Sequence, residues 1–344
     1  MKKKIIISVF VTVALAGIVA GFLFGRRYID NKLPNFGEDY VLYVYPETTS
    51  EQVLDSLLAN ADVRFEGSLR RCFEKMDVAG RMKAGRYEVK TTSPSIYVAR
   101  MLVFGWQSEC NLTISGTIRS KGRFAKLVSS QLMADSATVA ACMDSSAFLA
   151  QFGFTPENVF AMILPDTYRM YWTASMDELF GRFKREYDAF WTPERMELAS
   201  AQGLSPMEVS VMASIVSGET IMAFEYPLIA GVYLNRYNKG MKLQADPTVA
   251  FCFDYEPTRI LKKHLKVDSP YNTYKYAGLP PAPINIPPKA CVEAVLNPDK
   301  HDYLYFCASP DFDLTHRFAV TYKEHLKNAR EFQRSLTALQ KSSK

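Results

Sequence analysis

The sequence lacks the signatures of several common enzyme classes. It contains no G-x-S-x-G elbow, no H-E-x-x-H pair, no P-loop and no G-x-G-x-x-G turn. These absences argue against α/β-hydrolases, zincin metalloproteases, P-loop nucleotidases and dinucleotide-binding enzymes. Only four histidines occur in 344 residues, so we expect no metal site, and no motif indicates a cofactor.

Strong charge of one sign is also missing. The net charge is +5 with both signs mixed along the chain, and no basic stripe with interleaved aromatic residues occurs, so we expect no nucleic-acid partner. Six cysteines are present without a C-x-x-C pair, which leaves any disulfide connectivity open and makes buried thiols the default. An apolar fraction of 48% is typical of a folded globular protein.

One long apolar run is present near the amino terminus. Residues 5–24 carry no charge, follow three lysines and precede Arg26 and Arg27, and as a helix they would span about 30 Å, the thickness of a hydrocarbon core. A cleaved signal peptide is the alternative, since Ala14-Leu15-Ala16 is a candidate cleavage site. The apolar run continues past Ala16, which favours a retained single-pass anchor. The lysines slightly favour a cytoplasmic tail of residues 1–4.

Behind the anchor, the pattern predicts an α+β protein. Residues 25–39 read as a polar linker. Residues 40–114 read as a small β-α-α-β-α-β domain, with a strand over 40–45 and a capping box at Thr49 and Gln52. The chain from residue 122 to about 204 reads as mostly helical, and a second capping box is formed by Ser175 and Glu178.

One helix carries a carboxylate in an unusual place. Ser205, Pro206 and Glu208 predict a complete helix start, and at 100° per residue Glu219 falls about 20° from Met212, on the apolar face. Desolvation and the negative helix end both raise a glutamate pKa, and a neutral carboxyl group can protonate a glycosidic oxygen. The alternative is a structural glutamate paired with a core arginine such as Arg236.

Several fragments in order resemble one family. The pattern comprises V-S-V-M-A-S-I-V-S-G-E-T at 209–220, I-A-G-V-Y-L-N-R at 229–236, L-Q-A-D-P-T-V at 243–249, Y-N-T-Y at 271–274, G-L-P-P at 278–281, Y-L-Y-F at 303–306 and T-H-R-F at 315–318. Together they resemble the YceG-like family of membrane-anchored endolytic murein transglycosylases. K-A-G-R-Y at 83–87 and L-P-D-T-Y at 164–168 resemble further elements of that family.

The resemblance implies both domains and a chemistry. Residues 40–114 would be a LysM-like glycan-binding domain, residues 115–344 a larger mixed α/β catalytic domain, and Glu219 the catalytic acid. The reaction implied is cleavage between MurNAc and GlcNAc within nascent strands. Glu219 protonates the leaving oxygen and then accepts the proton of the sugar C6 hydroxyl, so that a 1,6-anhydro end remains and strand elongation stops. Ser217 and Ser115 stand where the family commonly has glutamates.

The resemblance also implies partners and a location. These are peptidoglycan glycan strands, the inner (plasma) membrane and the peptidoglycan synthases, with the catalytic body outside the cytoplasm.

The matched polar residues are predicted to contact sugar, with structural roles in turns as the alternative. They are Gln244, Asp246, Thr248, Asn272 and Tyr274. By contrast, Asn235 and Arg236 follow an apolar helical stripe and read as structural. Two other functions remain open, a non-catalytic glycan-binding scaffold and a muramidase, of which the latter requires a second carboxylate.

Overall fold

The computed structural model describes residues 2–342. Met1 of the predicted tail and residues 343–344 at the end of the predicted catalytic domain lie outside the described residues. The chain forms two compact units. The amino-terminal unit comprises residues 2–112, 131–133 and 169–174, and the carboxyl-terminal unit comprises 113–130, 134–168 and 175–342.

Helices and strands are mixed, as the sequence predicts. The helices are α1 (Lys2–Lys32), α2 (Ser50–Asn60), α3 (Glu66–Met76), α4 (Val78–Arg81), α5 (Ser95–Phe104), α6 (Lys121–Ser129), α7 (Ser136–Asp144), α8 (Ser146–Ala150), α9 (Met176–Phe190), α10 (Pro193–Ala201), α11 (Pro206–Glu219), α12 (Tyr226–Asn238), α13 (Asp246–Phe251), α14 (Lys289–Leu296) and α15 (Tyr322–Ser342). The strands are β1 (Tyr40–Val44), β2 (Gly85–Val89), β3 (Glu109–Thr113), β4 (Thr167–Tyr171), β5 (Tyr305–Ala308) and β6 (His316–Ala319). They form three two-stranded sheets, β1-β2, β3-β4 and β5-β6.

Helix α1 is long and apolar enough to cross a membrane, and its apolar window is not buried inside the protein. It continues to Lys32, whereas the sequence suggested a polar linker from residue 25. Residues 26–33 contain neither proline nor glycine, so the helix persists until Pro34 prevents its continuation. Its last turn is held on α3 by an ion pair between Asp30 Oδ1 and Arg71 Nη2, 2.6 Å apart.

The amino-terminal unit is built around the antiparallel β1-β2 pair, in which Tyr40 lies opposite Val89 and Val44 opposite Gly85. Its core joins apolar residues of this sheet to those of α2, α3 and α5. The capping box at Thr49 and Gln52 is confirmed. The predicted order of elements is observed, with the short α4 as an addition.

Helix α11 is the centre of the carboxyl-terminal unit. Its predicted capping box, formed by Ser205 and Glu208, is confirmed. A one-sided apolar stripe was expected, but every residue from 209 to 217 is buried. Helices α10, α12, α13 and α14 pack around it, and a helix apolar on all sides is characteristic of such a central position.

Candidate active site

The candidate acid, Glu219, is the last residue of α11. The preceding residue, Gly218, allows the start of α13 to approach closely, because a Cβ atom there would lie 2.6 Å from Pro247 Cβ. Glu219 therefore sits where a buried helix ends against the first turn of another helix. Its side chain is partly buried.

Tyr233 is the direct partner of Glu219. This residue of α12 is 2% exposed, and its hydroxyl donates a hydrogen bond of 2.5 Å to Glu219 Oε1. Its ring packs edge-on against Phe306 of β5 at 5.9 Å between centroids. Packing of the Tyr233 ring against Phe306 therefore fixes the position of the Tyr233 hydroxyl, and the hydroxyl orients the Glu219 carboxyl group.

Burial raises the pKa of Glu219 to about 7. The hydrogen bond from Tyr233 opposes this effect, and the nearby charge of Asp246 adds to it. A glutamate with a pKa near neutrality holds a proton for a substantial part of the time at pH 7, which suits a general acid.

Arg236 is not the ion-pair partner of Glu219. Among the ion pairs found in residues 2–342, none joins these two residues. Instead, the guanidinium of Arg236 donates to Leu304 O at 2.6 Å and to Leu243 O at 2.8 Å. Asn235 likewise donates to main-chain carbonyl groups at residues 301 and 303. These hydrogen bonds support the structural reading of Asn235 and Arg236, although Arg236 also lines the cavity that contains Glu219.

Two cavities meet at Glu219. The first, of about 370 Å³, is lined by residues that include Tyr233 and Arg236 of α12 and all of β5. The second, of about 460 Å³, includes the residues that follow Glu219 and the loop between β5 and β6. Glu219, Ala308 and His316 line both cavities. The carboxyl group therefore lies at the junction of two adjoining spaces rather than at a closed end.

Three of the five predicted sugar-contacting residues line the first cavity: Gln244, Asp246 and Tyr274. The Tyr274 hydroxyl donates to Asp246 Oδ1 at 2.6 Å. Gln244 accepts from Arg236 at 3.3 Å and has a left-handed backbone with φ of 55°, which its N–H bond to Thr273 O helps to fix. These side chains are available to a ligand.

The other two predicted contacts, Thr248 and Asn272, are fully buried and do not line this cavity. The Thr248 hydroxyl donates to Ala245 O at 2.7 Å. The Asn272 amide donates to two main-chain carbonyl groups, at residues 265 and 267. These hydrogen bonds shape the segments that carry Gln244 and Tyr274.

The two positions that depart from the family pattern differ in their surroundings. Ser217 is buried, and its hydroxyl bonds to Asn285 Oδ1 at 2.9 Å and to Ser214 O. Ser115 is exposed and precedes Gly116, whose φ is +70°. Ser217 is thus part of the packing beneath Glu219.

Sequence reasoning missed Tyr233 and Glu225. Both lie in or beside the helix that follows Glu219, but their importance depends on which way their side chains point. The only available signal was an acidic residue, Glu225, next to the otherwise apolar start of α12. In the described part of the chain, no group of three or more His, Cys, Asp or Glu side chains is placed to hold a metal ion.

Comparisons with known proteins agree on one family. The sequence profile of the YceG-like family matches residues 42–331. A Bacillus subtilis (strain 168) protein named endolytic murein transglycosylase is 43% identical over 124 residues, which cover 36% of this chain and 34% of that protein. A Streptococcus pneumoniae (strain D39) protein of the same name is 25% identical over 96% of this chain and 65% of its own length. The chain thus aligns with less than two thirds of either relative.

The fold has a counterpart among crystal structures. A Listeria monocytogenes protein described as yceG-like superposes with a TM-score of 0.57 and 25% sequence identity, covering 84% of this chain and 98% of that one. Together with the profile match over most of the chain, this establishes the family: the chain belongs to the YceG-like family.

Proposed function

We propose that the chain is an endolytic murein transglycosylase that cuts peptidoglycan strands and leaves 1,6-anhydro-MurNAc ends. The observation that carries the proposal is a carboxyl group with a pKa of about 7 at the junction of two cavities. The relatives bearing that name support it.

In this proposal Glu219 donates its proton to the oxygen that links MurNAc to GlcNAc. Tyr233 holds the carboxyl group in place through Oε1, and the sugar C6 hydroxyl attacks C1 within the same molecule. An intramolecular nucleophile gains a high effective concentration, so positioning contributes much of the rate. The two cavities that Glu219 lines would leave room for sugar units before and after the cleaved bond, as an endolytic cut requires.

Gln244, Asp246 and Tyr274 are proposed to bind sugar in the first cavity, while Thr248 and Asn272 support their loops. Helix α1 is proposed as a single-pass anchor in the plasma membrane, with the amino terminus in the cytoplasm and both units outside. The region 40–114 is proposed to bind glycan as a LysM-like domain. Peptidoglycan synthases are the partners that the family resemblance implies.

A muramidase is the second candidate, because Asp246 supplies another carboxylate to the same cavity. A hydrolase needs two carboxyl groups at a defined separation, whereas the proposed reaction needs one acid. Asp246→Asn therefore separates the two functions. It should preserve anhydro ends if Asp246 only binds sugar, and should abolish the cut if Asp246 activates water.

The test is mass spectrometry of uncrosslinked glycan strands digested by the detergent-solubilised full chain. We expect anhydro-MurNAc ends from the wild type and a loss of at least about 1,000-fold for Glu219→Gln, which cannot donate the proton. Glu208→Gln, a change at the far end of the same helix, is the matched control. Reducing ends would establish hydrolysis, and strand binding without any product would establish a non-catalytic scaffold.

A further inference from the structure

A second buried carboxylate lies close to Glu219 and has no part in the reaction described so far. Glu225 is 1% exposed and ends a short 3-10 turn, Ala223–Glu225, between α11 and α12. A buried carboxylate is costly unless several donors satisfy it, so its partners indicate why it is there.

Two of those partners belong to one residue of β6. Glu225 accepts the main-chain N–H of His316 at 2.7 Å and its ring Nδ1–H at 2.9 Å. The third donor is the hydroxyl of Thr220, at 3.0 Å, from the residue that follows Glu219. One carboxylate thus ties the end of the helix bearing Glu219 to a single histidine.

This arrangement fixes the proton on the histidine ring. A carboxylate only accepts hydrogen bonds, so Nδ1 of His316 carries the hydrogen, and in the neutral ring Nε2 is left as a proton acceptor. No hydrogen bond to Nε2 is found among residues 2–342, and His316 is a lining residue of both cavities. Phe306 packs edge-on against the ring at 5.3 Å, which restricts its plane.

A purely structural role explains only part of this geometry. The main-chain hydrogen bond and the Thr220 contact already join β6 to the end of α11. Neither of these two contacts requires a histidine side chain here, with Nδ1 hydrogen-bonded to Glu225 and Nε2 left as an acceptor. An oriented base is the role that uses both nitrogens.

We propose that His316 is a second proton-transfer residue of this site and that Glu225 is the positioning residue that sets its tautomer. The inference rests on the proposed function. As the C6 oxygen forms its bond to C1, the hydroxyl proton passes to His316 Nε2, and the C1–O4 bond breaks as O4 takes the proton of Glu219. The imidazolium then returns a proton to the Glu219 carboxylate, directly or through water, so no net proton is gained or lost.

Under this assignment Glu219 donates and His316 accepts, and neither group must do both within one step. General base catalysis contributes about 10²–10⁴-fold. We therefore expect His316→Ala to lower kcat by about 100-fold or more, with KM for glycan strands nearly unchanged.

The decisive measurement is chemical rescue of the detergent-solubilised full chain. Added imidazole should raise the turnover of His316→Ala at least tenfold, because the space that the side chain leaves opens to both cavities. His264→Ala, in the 3-10 turn His264–Lys266 that lines neither cavity, is the matched control. It should turn over normally and not respond to imidazole.

Glu225→Gln provides a second variant that keeps the side-chain volume. An amide can present its own N–H to Nδ1, which would move the ring hydrogen to Nε2 and remove the acceptor. We expect a loss of turnover of at least tenfold that imidazole does not restore, since His316 still fills its place. This variant decides the question if His316→Ala does not fold.

The outcomes separate the two proposals. A wild-type protein that yields no anhydro ends overturns the proposed function and this assignment together. An active wild type whose His316→Ala and Glu225→Gln variants both keep turnover within threefold overturns only the role of His316. Loss in His316→Ala without any imidazole rescue also rejects the role as a base.

Discussion

The two units of the protein bury polar groups of different kinds. In the described part of the amino-terminal unit, the buried polar side chains are neutral: Asn35, Ser68, Ser93 and Ser95. The carboxyl-terminal unit buries the charged residues Glu225 and Arg236 among its neutral ones. Neutral hydrogen bonds suffice to hold a small core. Buried charge requires several compensating partners, and here it occurs beside the cavities.

The ionisable carboxyl groups show the same contrast. In the amino-terminal unit, the hydrogen bond from Arg86 holds the pKa of Glu88 below its usual range. In the carboxyl-terminal unit, burial raises the pKa of Glu219 to about 7. Only the second environment produces an acid that can donate a proton near neutral pH.

The largest expected effect concerns the buried arginine. Arg236→Met removes a charged donor from several main-chain carbonyl groups and should lower the free energy of unfolding by about 4 kcal/mol. Urea denaturation of the detergent-solubilised full chain, followed by tryptophan fluorescence, measures this loss. Asn35→Ala, its neutral counterpart, removes hydrogen bonds to Phe65 and Ser95 and should cost about 2 kcal/mol. Equal losses of unfolding free energy in the two variants would show that buried charged and buried neutral groups contribute alike, contrary to this comparison.

The next effect is the pH dependence of stability at Glu219. Its folded pKa of about 7 exceeds the ordinary value of 4.5, so folding disfavours the ionised form and stability falls as pH rises between these values. Glu219→Gln removes this penalty, so the stability of the variant relative to the wild type should rise by about 3 kcal/mol from pH 4 to pH 8. Thermal unfolding at the two pH values tests this. A pH-independent difference would show that the carboxyl group is not held neutral.

A smaller effect is expected from the hydroxyl that orients the acid. Because the Tyr233 hydrogen bond lowers the pKa of Glu219, Tyr233→Phe should move the alkaline limb of activity to higher pH, by up to about one unit. The pH profile of anhydro-end release measures it. Tyr87→Phe removes a buried hydroxyl that donates to Lys83 O at 2.8 Å and should leave the profile unchanged. A shift toward lower pH in Tyr233→Phe contradicts the assigned role.

The smallest effect belongs to the carboxylate of the amino-terminal unit. Glu88→Gln breaks a partly exposed ion pair with Arg86 and should cost about 1 kcal/mol or less at pH 7. Since the folded pKa of Glu88 is lowered, this contribution is present above its ordinary pKa and lost as pH falls below it. Urea titrations at pH 7 and pH 3 check the sign. A loss of stability in Glu88→Gln that grows toward acidic pH would contradict the lowered pKa of Glu88.

Local sequence signals predicted the elements well, while tertiary packing decided the side chains. The capping boxes at Thr49, Ser175 and Ser205 are confirmed because each depends on residues three positions apart. By contrast, Asp246 and Thr248 are two positions apart in one motif, yet Asp246 lines the cavity and Thr248 is buried. Which of them faces the cavity depends on how α13 (Asp246–Phe251) packs against its neighbours, and the motif alone does not contain that information.

The missed residues follow the same logic. The bond between Glu225 and His316 joins residues 91 positions apart, so no local pattern announces it. Tyr233 was visible in a family-like fragment, but nothing in the fragment indicates that its hydroxyl reaches Glu219. Helix α1 extends to Lys32, beyond the predicted start of the linker at residue 25, because a polar composition does not itself end a helix and arginine and lysine are good helix formers.

The unbroken course of α1 into the amino-terminal unit has a mechanical consequence. Because the end of α1 is bound to α3 through Asp30 and Arg71, the unit cannot rotate freely about the helix axis. Its rotation relative to the apolar segment of α1 is set by the number of residues between them. One residue inserted between Arg27 and Ile29 would turn the unit by about 100° and raise it by about 1.5 Å. A flexible tether would absorb the same insertion without change. The number of residues in α1 thus determines how the amino-terminal unit is rotated relative to the proposed membrane anchor.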